Sequence, residues 1–206
     1  MSATTYRTID APTEGQFRDK GSKFIAYAYP VRSDQEAKDR LSALKLNHPK
    51  ARHHCWAYRL TPDRSVFRLN DDGEPTGTAG RPILNTLLSH DVTNIMLVVV
   101  RYFGGTLLGV PGLINAYKTA AQEALAAANI TELTVNDRFV LAFDYLQLNQ
   151  VMRIVKEGGL ELIEQDFDNR CTVTLEIPRA QTAAVLGKLN NLADMVITEI
   201  GTSGVG

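Results

Sequence analysis

The last 70 residues switch between two hydrophobic periods, and the order of the switches predicts a fold. Residues 139–143 carry large apolar side chains at every second position, as in a strand, and residues 148–155 carry them at helical spacing. Gly158-Gly159 predicts a left-handed end to that helix. A strand, a strand, a helix and a strand follow, over residues 160–164, 171–177, 185–192 and 195–200. This βαββαβ order is the ferredoxin-like, split βαβ plan.

The first part of the chain predicts strands and helices in a different order. Lys23–Val31 is typical of a strand, and Ser33 followed by Glu36 forms a capping box that begins a helix to about Leu46. The elements after it are a hairpin over 54–60 and 65–69, a glycine-rich and acidic loop over 71–80, a short helix from Pro82 to about Ser89, a strand buried on both faces over 95–100 and a long helix with apolar positions from 113 to 128.

The two patterns together predict an α+β protein of two domains. The boundary falls near residues 129–136, which gives one domain over 1–132 and a second over 136–206. A chain of 206 residues, 44% of them hydrophobic, has enough apolar surface for two small cores.

Charge is nearly balanced over the whole chain but not between the two parts. Residues 1–135 carry 16 basic and 13 acidic side chains, whereas residues 136–206 carry 6 and 10. We therefore expect a polyanion to prefer the first part, with weak long-range attraction.

Targeting signals and cysteine chemistry narrow the class of protein. The longest apolar run, Ile95–Val100, has six residues, far fewer than the roughly 20 needed to cross a bilayer. Charged residues interrupt the N-terminal region, so no signal peptide is predicted.

Cys55 and Cys171 fall in different predicted domains, which argues against a disulfide framework or a paired-cysteine zinc site. We expect a cytoplasmic protein with two reduced thiols and no membrane contact.

Four glycines join the buried strand to the long helix: Gly104, Gly105, Gly109 and Gly112. Glycine allows close backbone approach, and a helix N-terminus offers free amides with partial positive charge, so a phosphate could bind there. Arg101 and Lys118 could add fixed charge. The spacing matches neither the P-loop nor the dinucleotide fingerprint, and tight packing of the loop is the alternative interpretation.

A second cluster combines basic and aromatic side chains at the start of the hairpin. Strand alternation places His53 and Cys55 on one face and His54 and Trp56 on the other. Adjacent strand residues cannot all converge on one ion, so no metal site is predicted. We expect both histidines, with Arg52, to contact a phosphate or ribose. The alternative is that the histidines only end a strand whose other residues are core.

The acidic loop supports a different chemistry. Asp71, Asp72 and Glu74 could hold a magnesium ion or act as general acid and base, with His54 and Arg101 as polar partners. That interpretation predicts a hydrolase for a phosphorylated or peptide-like metabolite. Acids followed by glycine and proline are equally typical of a rigid double turn, because aspartate bonds nearby backbone amides.

The predicted second domain offers a third function. Its sheet would expose Thr172, Thr174 and Glu176, without the aromatic platform of an RNA-recognition domain. We expect this domain to bind a protein, as a docking adaptor, or to brace the first domain. No serine, cysteine or threonine stands in a nucleophile elbow, so covalent catalysis is not indicated.

Three blocks of sequence resemble the signatures of the IMPACT family in its bacterial YigZ type. They are Phe17–Phe24, Asp71–Leu84 and Arg101–Gly109, with His54–Tyr58 between them. The resemblance covers nearly the whole chain. It implies a first domain like the second domain of ribosomal protein S5 and a second domain similar to the last, ferredoxin-like domain of translocating elongation factors.

The resemblance also implies a link to translation or nucleic acid. Eukaryotic members carry a leading domain that engages an activator of a translation-controlling kinase, and these members damp that kinase. We expect no such leader here and do not transfer that role. Family members commonly have Gly-Gly-Leu at the start of the long helix, where this chain has Pro111-Gly112-Leu113. Proline removes one backbone amide there, and with it any contact which that amide makes in relatives.

The first hypothesis is therefore a non-enzymatic, translation-associated protein, with a role in regulating translation. It would bind RNA or the ribosome through phosphates, without sequence readout, cofactor or metal. Its predicted site is Arg52, His53, His54, Arg101, Gly104, Gly105, Gly109, Gly112 and Lys118. The sequence does not indicate an oligomeric state.

Overall fold

The computed structural model describes residues 3–168 and 170–205, so residues 1, 2, 169 and 206 of the two predicted domains lie outside it. The chain divides into two compact units, Arg7–Glu132 and the residues up to Tyr6 together with those from Leu133 onward. Each unit contains an antiparallel sheet and packed helices, which makes the protein α+β.

The unit Arg7–Glu132 is built on a five-stranded sheet with three helices. Its strands are β2 (Thr13–Asp19), β3 (Ser22–Pro30), β4 (His53–Leu60), β5 (Val66–Asn70) and β6 (Ile95–Tyr102), and its helices are α1 (Asp34–Asn47), α2 (Gly80–Ser89) and α3 (Gly109–Ala126). The strand order is β2-β3-β6-β4-β5, with every neighbouring pair antiparallel.

The central strand β6 is buried on both faces, as the six-residue apolar run predicts. Ile95, Leu97 and Val99 face a core shared with α2 and α3. The alternate residues face a second core shared with α1, whose buried members include Ala37 and Leu44. The sheet thus carries helices on both sides, and Arg101 follows Val99 onto the α2 and α3 side.

Two helix ends confirm the sequence signals. The hydroxyl of Ser33 accepts from the backbone N–H of Glu36 at 3.1 Å, which begins α1. The carboxylate of Glu36 reaches one residue beyond the capping-box position, accepting from the N–H of Arg32 at 2.8 Å. Gly159 ends the later helix α4 (Leu148–Gly158) in the left-handed region at φ 58°.

The other unit has the predicted βαββαβ element order. After β7 (Ile130–Phe143), a 3-10 turn and α4 come β8 (Glu161–Asp166), β9 (Cys171–Pro178), α5 (Arg179–Asn190) and β10 (Val196–Val205). The sheet order is β1-β7-β9-β8, where β1 is Thr5–Ile9, and β10 also pairs with β7. Its core lies under α4 and α5 and includes Phe143, Val151 and Leu189.

Several sequence predictions differ from the observed elements. Strands β1 and β2 carry no strong apolar alternation, and the sequence does not predict them. Residues 130–138 form the first part of β7, although the pattern predicts a strand only from Phe139. Glu176 was expected on a solvent-exposed face, but it is 2% exposed and accepts hydrogen bonds from Arg138 and Asn136. Those two donors satisfy the carboxylate and make its burial tolerable.

None of the helices in the described ranges combines the length and the hydropathy that a bilayer crossing requires.

Gly187 offers a test of the helix assignment for α5. A Cβ at this exposed helical position would have no heavy atom within 4 Å, and its backbone lies outside the left-handed region. Because glycine costs about 0.5–1 kcal/mol relative to alanine inside a helix, Gly187→Ala should raise the free energy of unfolding by that amount. Urea denaturation measures it, and a loss of stability would contradict the α5 assignment.

Candidate functional site

Three loops of the first unit meet beside the end of β6. Arg101 lies near the C-terminal end of β6 and pairs in register with Phe24 of β3 on one side and with His53 of β4 on the other. The acidic loop after β5, the turn between β2 and β3 and the loop leading into α3 all contact this corner. The three sequence blocks of the resemblance therefore lie close together in space.

Asp71 holds the acidic loop in shape and begins α2. Its carboxylate accepts from three backbone amides, those of Gly77 at 2.9 Å, Ala79 at 3.0 Å and Gly80 at 2.8 Å. A carboxylate at this place satisfies helix-terminal amides and interacts favourably with the positive end of the helix. Asp71 is therefore a structural residue, as the rigid-turn interpretation expects.

Asp72 is directed to the other face of the sheet. Its Oδ2 accepts from the backbone N–H of His54 at 2.7 Å, and Lys45 lies 3.9 Å from its Oδ1. Its φ of 40° lies in the left-handed region, which aspartate tolerates better than most residues. Asp72 joins the acidic loop to β4.

Glu74 forms a buried ion pair with Arg101. Arg101 Nη1 donates to Glu74 Oε1 at 2.6 Å, and the hydroxyl of Tyr117 donates to the same oxygen at 2.7 Å. The two charged side chains are 6% and 4% exposed, so they interact in a weakly screened environment. The guanidinium charge predicted to be open to a ligand is thus neutralised by the protein's own carboxylate.

Aromatic rings hold Arg101 in place. Its guanidinium carbon lies 5.4 Å from the ring centre of Phe24 and 5.5 Å from that of Phe103. Such contacts favour the flat face of a guanidinium over an aromatic ring. The Nε atom of Arg101 is buried and has no hydrogen-bond partner among the described residues.

Cys55 contacts the ion-pair network through Tyr117, and its thiol has low reactivity. Its sulfur is 3.3 Å from the hydroxyl of Tyr117 and 3.0 Å from the carbonyl of Asp71. Burial raises the pKa of the Cys55 thiol far above its usual value. A neutral thiol of this kind is a weak nucleophile, which agrees with the absence of a covalent-catalysis motif in the sequence.

A cavity of about 410 Å³ opens between the acidic loop and the start of α3. Its polar lining comes from Arg52, His53, Glu74 and Arg101, and its apolar lining includes Phe103, Leu107, Leu108, Val110 and Leu113. His53 Nδ1 lies 2.9 Å from the carbonyl oxygen of Asp72. A carbonyl can only accept, so Nδ1 carries the hydrogen and Nε2 is the free acceptor of the neutral ring.

The four predicted glycines have different roles. A Cβ on Gly104 would lie 1.9 Å from the backbone carbon of Gly21, so Gly104 permits two loops to touch. Gly105 and Gly109 have φ of 88° and 72°, and each needs glycine for its backbone conformation. Gly112 would bring a Cβ to 3.0 Å from Leu108. Only Gly109 of the four lines the cavity.

The structure brings together some of the predicted site residues and separates others. Arg52, His53 and Arg101 share the cavity. Lys118 lines a different cavity of about 450 Å³, together with Arg81. His54 is buried on the α1 side of the sheet, where burial lowers the pKa of its imidazole below the usual value. Neither His54 nor Lys118 therefore belongs to the cavity that Arg52, His53 and Arg101 line.

The three acids do not converge as a hydrolytic centre requires. Asp71 bonds backbone amides, Asp72 bonds β4, and Glu74 bonds Arg101 and Tyr117. Among residues 3–168 and 170–205, no group of three potential ligands is arranged to hold a metal ion.

Sequence reasoning missed Tyr117 and Phe103 as parts of the site. Tyr117 belongs to the apolar stripe of α3, so the sequence pattern predicts it to be a core residue. Only its hydroxyl, which bonds Glu74, distinguishes it from a phenylalanine. Phe103 follows Arg101 by two residues, the strand spacing that places both on one face.

Gly104 allows a direct test of the loop contact. Gly104→Ala should lower the free energy of unfolding by at least about 2 kcal/mol, because the added methyl meets backbone atoms that cannot rotate away. Gly105→Ala is the matched control: it has open space and should lose only about 1 kcal/mol from its positive φ. Equal losses in urea denaturation would contradict the contact.

Comparison with known proteins assigns the chain to a family. Residues 20–125 match the Impact N-terminal domain. The chain is 36% identical to an IMPACT family member of Haemophilus influenzae and 33% identical to the IMPACT family member YigZ of Escherichia coli, in both cases over 82% of this chain and 84% of the relative. It also resembles the crystal structure of a hypothetical protein, with TM-score 0.75, 30% identity, and coverage of 96% of this chain and 98% of that one. The chain belongs to the IMPACT family.

Proposed function

We propose that this protein is a translation-associated, non-enzymatic RNA-binding protein that holds single-stranded RNA at the cavity beside α3. The observation that carries the proposal is the composition of that cavity, whose lining combines an exposed arginine, a half-exposed aromatic ring and the first residues of a helix. Single-stranded nucleic acid is bound by this combination of basic groups with an aromatic stacking surface. Family membership and its implied link to translation support the same function.

The buried ion pair changes which groups would meet a phosphate. Because Glu74 neutralises Arg101, the available cation is Arg52, which is exposed at the mouth of the cavity. The start of α3 adds backbone amides, since the side chain of its N-cap residue, Leu108, makes no capping hydrogen bond to them. Arg101 then acts as a positioning residue that holds Phe103 and Glu74.

Phe103 and Leu107 supply the surface for a base. Phe103 is 49% exposed and Leu107 is 83% exposed, although both are strongly hydrophobic. A base stacked on Phe103 would cover part of this surface, and stacking on an aromatic side chain strengthens single-strand binding without requiring a particular sequence. The ribosome is the partner that we propose for this surface in the cytoplasm.

We further propose the fold types implied by the resemblance. The antiparallel sheet with α2 and α3 on one face supports an S5 domain 2-like fold for residues 1–132. The βαββαβ order supports a ferredoxin-like fold, similar to the last domain of translocating elongation factors, for residues 136–206.

Substitution of Arg52 tests the phosphate contact. Arg52→Ala should weaken binding of a fluorescent 12-nucleotide RNA about threefold to tenfold at 50 mM salt and reduce the log-log salt slope by about 0.7, the effect of one lost phosphate contact on a single strand. Fluorescence anisotropy over a salt series measures both values.

Arg81→Ala is the matched control, because Arg81 is an exposed arginine that lines the other cavity of the same unit. It should leave affinity and slope unchanged. Equal effects of the two substitutions, or no binding of RNA by the unaltered protein at 50 mM salt, would overturn the proposed function.

A further inference from the structure

The buried carboxylate of Glu74 has one oxygen that the protein leaves unused. Oε1 accepts from both Arg101 and Tyr117, whereas no donor within residues 3–168 and 170–205 bonds Oε2. Oε2 is also not among the fully buried atoms that lack a partner. Glu74 is one of the residues that line the cavity, so its side chain can meet a ligand there.

An ionised carboxylate restricts the chemistry of that ligand, because it accepts hydrogen bonds and donates none. The ligand must present N–H or O–H groups to Glu74. A cationic donor such as an amine would have to pass Arg52, and like charges disfavour it. A ligand that presents uncharged hydrogen-bond donors to Glu74 and an anionic group to Arg52 avoids this repulsion. A nucleotide has this form, with a base edge as the donor and a phosphate as the anion.

Among the four RNA bases, guanine fits the acceptor best. Its Watson–Crick edge presents two adjacent donors, the N1–H and the 2-amino group, which match the two lone-pair sites of Oε2; those of Oε1 are taken by Arg101 and Tyr117. Adenine and cytosine place a ring-nitrogen acceptor beside one amino group, and uracil flanks its single N–H with two carbonyls. Those acceptors would repel Glu74, and they would leave its oxygen unsatisfied.

The other residues that line the cavity can accommodate an unstacked base. Phe103 offers a half-exposed ring, Leu107 and Leu108 add apolar surface, and the volume of about 410 Å³ falls in the range of small-ligand sites. His53 Nε2 lies 4.0 Å from Glu74 Oε1 and adds a second acceptor in the neutral ring.

We propose that this cavity is a guanine-selective subsite, in which Glu74 accepts from the N1–H and 2-amino groups of an unstacked guanine in single-stranded RNA. The proposal rests on the proposed RNA-binding function and adds a base preference to it, although the sequence predicts no readout. Arg52 would then contact the phosphate of the same nucleotide.

The first experiment uses the unaltered full chain and four mononucleotides. Isothermal titration with GMP, IMP, AMP and UMP should give GMP at least about tenfold tighter than AMP or UMP, because only guanine brings two adjacent donors to Oε2. IMP lacks only the 2-amino group, so its affinity should fall between those of GMP and AMP.

The second experiment uses the heptamers UUUGUUU and UUUAUUU. The unaltered chain should prefer the guanine-containing RNA about tenfold, and Glu74→Gln, which loses one acceptor oxygen, should reduce the preference to less than about threefold. Phe103→Ala keeps Glu74, so it should weaken the binding of both RNAs while retaining the preference for the guanine-containing one. Arg81→Ala should change neither value.

The outcomes separate this inference from the proposed function. Equal affinity of the unaltered chain for the two heptamers, with tight and salt-dependent binding of both, overturns the guanine subsite and leaves RNA binding intact. Absence of binding to either heptamer overturns both. If Glu74→Gln fails to fold, the comparison of GMP with IMP and AMP on the unaltered chain decides the proposal alone.

Discussion

The buried pair of Arg101 and Glu74 is the interaction on which the candidate site depends. Two charges removed from water are tolerated only when they satisfy each other and gain further hydrogen bonds. Tyr117 supplies one such bond, and the rings of Phe24 and Phe103 flank the guanidinium. Because the partners come from β6, the acidic loop, α3 and β3, the pair fixes four segments of the unit at one corner.

That constraint also decides the charge of the cavity. An unpaired Arg101 would make its floor a strong anion site, whereas the pair leaves a nearly neutral floor with one carboxylate oxygen available. Positive charge then remains at Arg52 near the mouth. The arrangement favours a ligand that is neutral and hydrogen-donating at one end and anionic at the other, which is why a nucleotide suits it better than a free phosphate.

The sequence predicted the elements whose signals are local. The capping hydroxyl of Ser33, the left-handed Gly159 and the apolar strand β6 each act through neighbouring residues, and all three are present. Strand β2 was missed because it is an edge strand with little apolar alternation. The pairing of Arg101 with Glu74 joins residues 27 positions apart, so spacing could nominate both residues but could not show that each neutralises the other.

The most direct test of this account is a double-mutant cycle on the ion pair. We predict that Glu74→Gln and Arg101→Met each lower the free energy of unfolding by about 3 kcal/mol, because each leaves a buried group without its charged partner. The double variant should be about as stable as either single variant, which gives a coupling energy of about 3 kcal/mol in urea denaturation. Additive losses, with a coupling energy near zero, would contradict the central role of the pair.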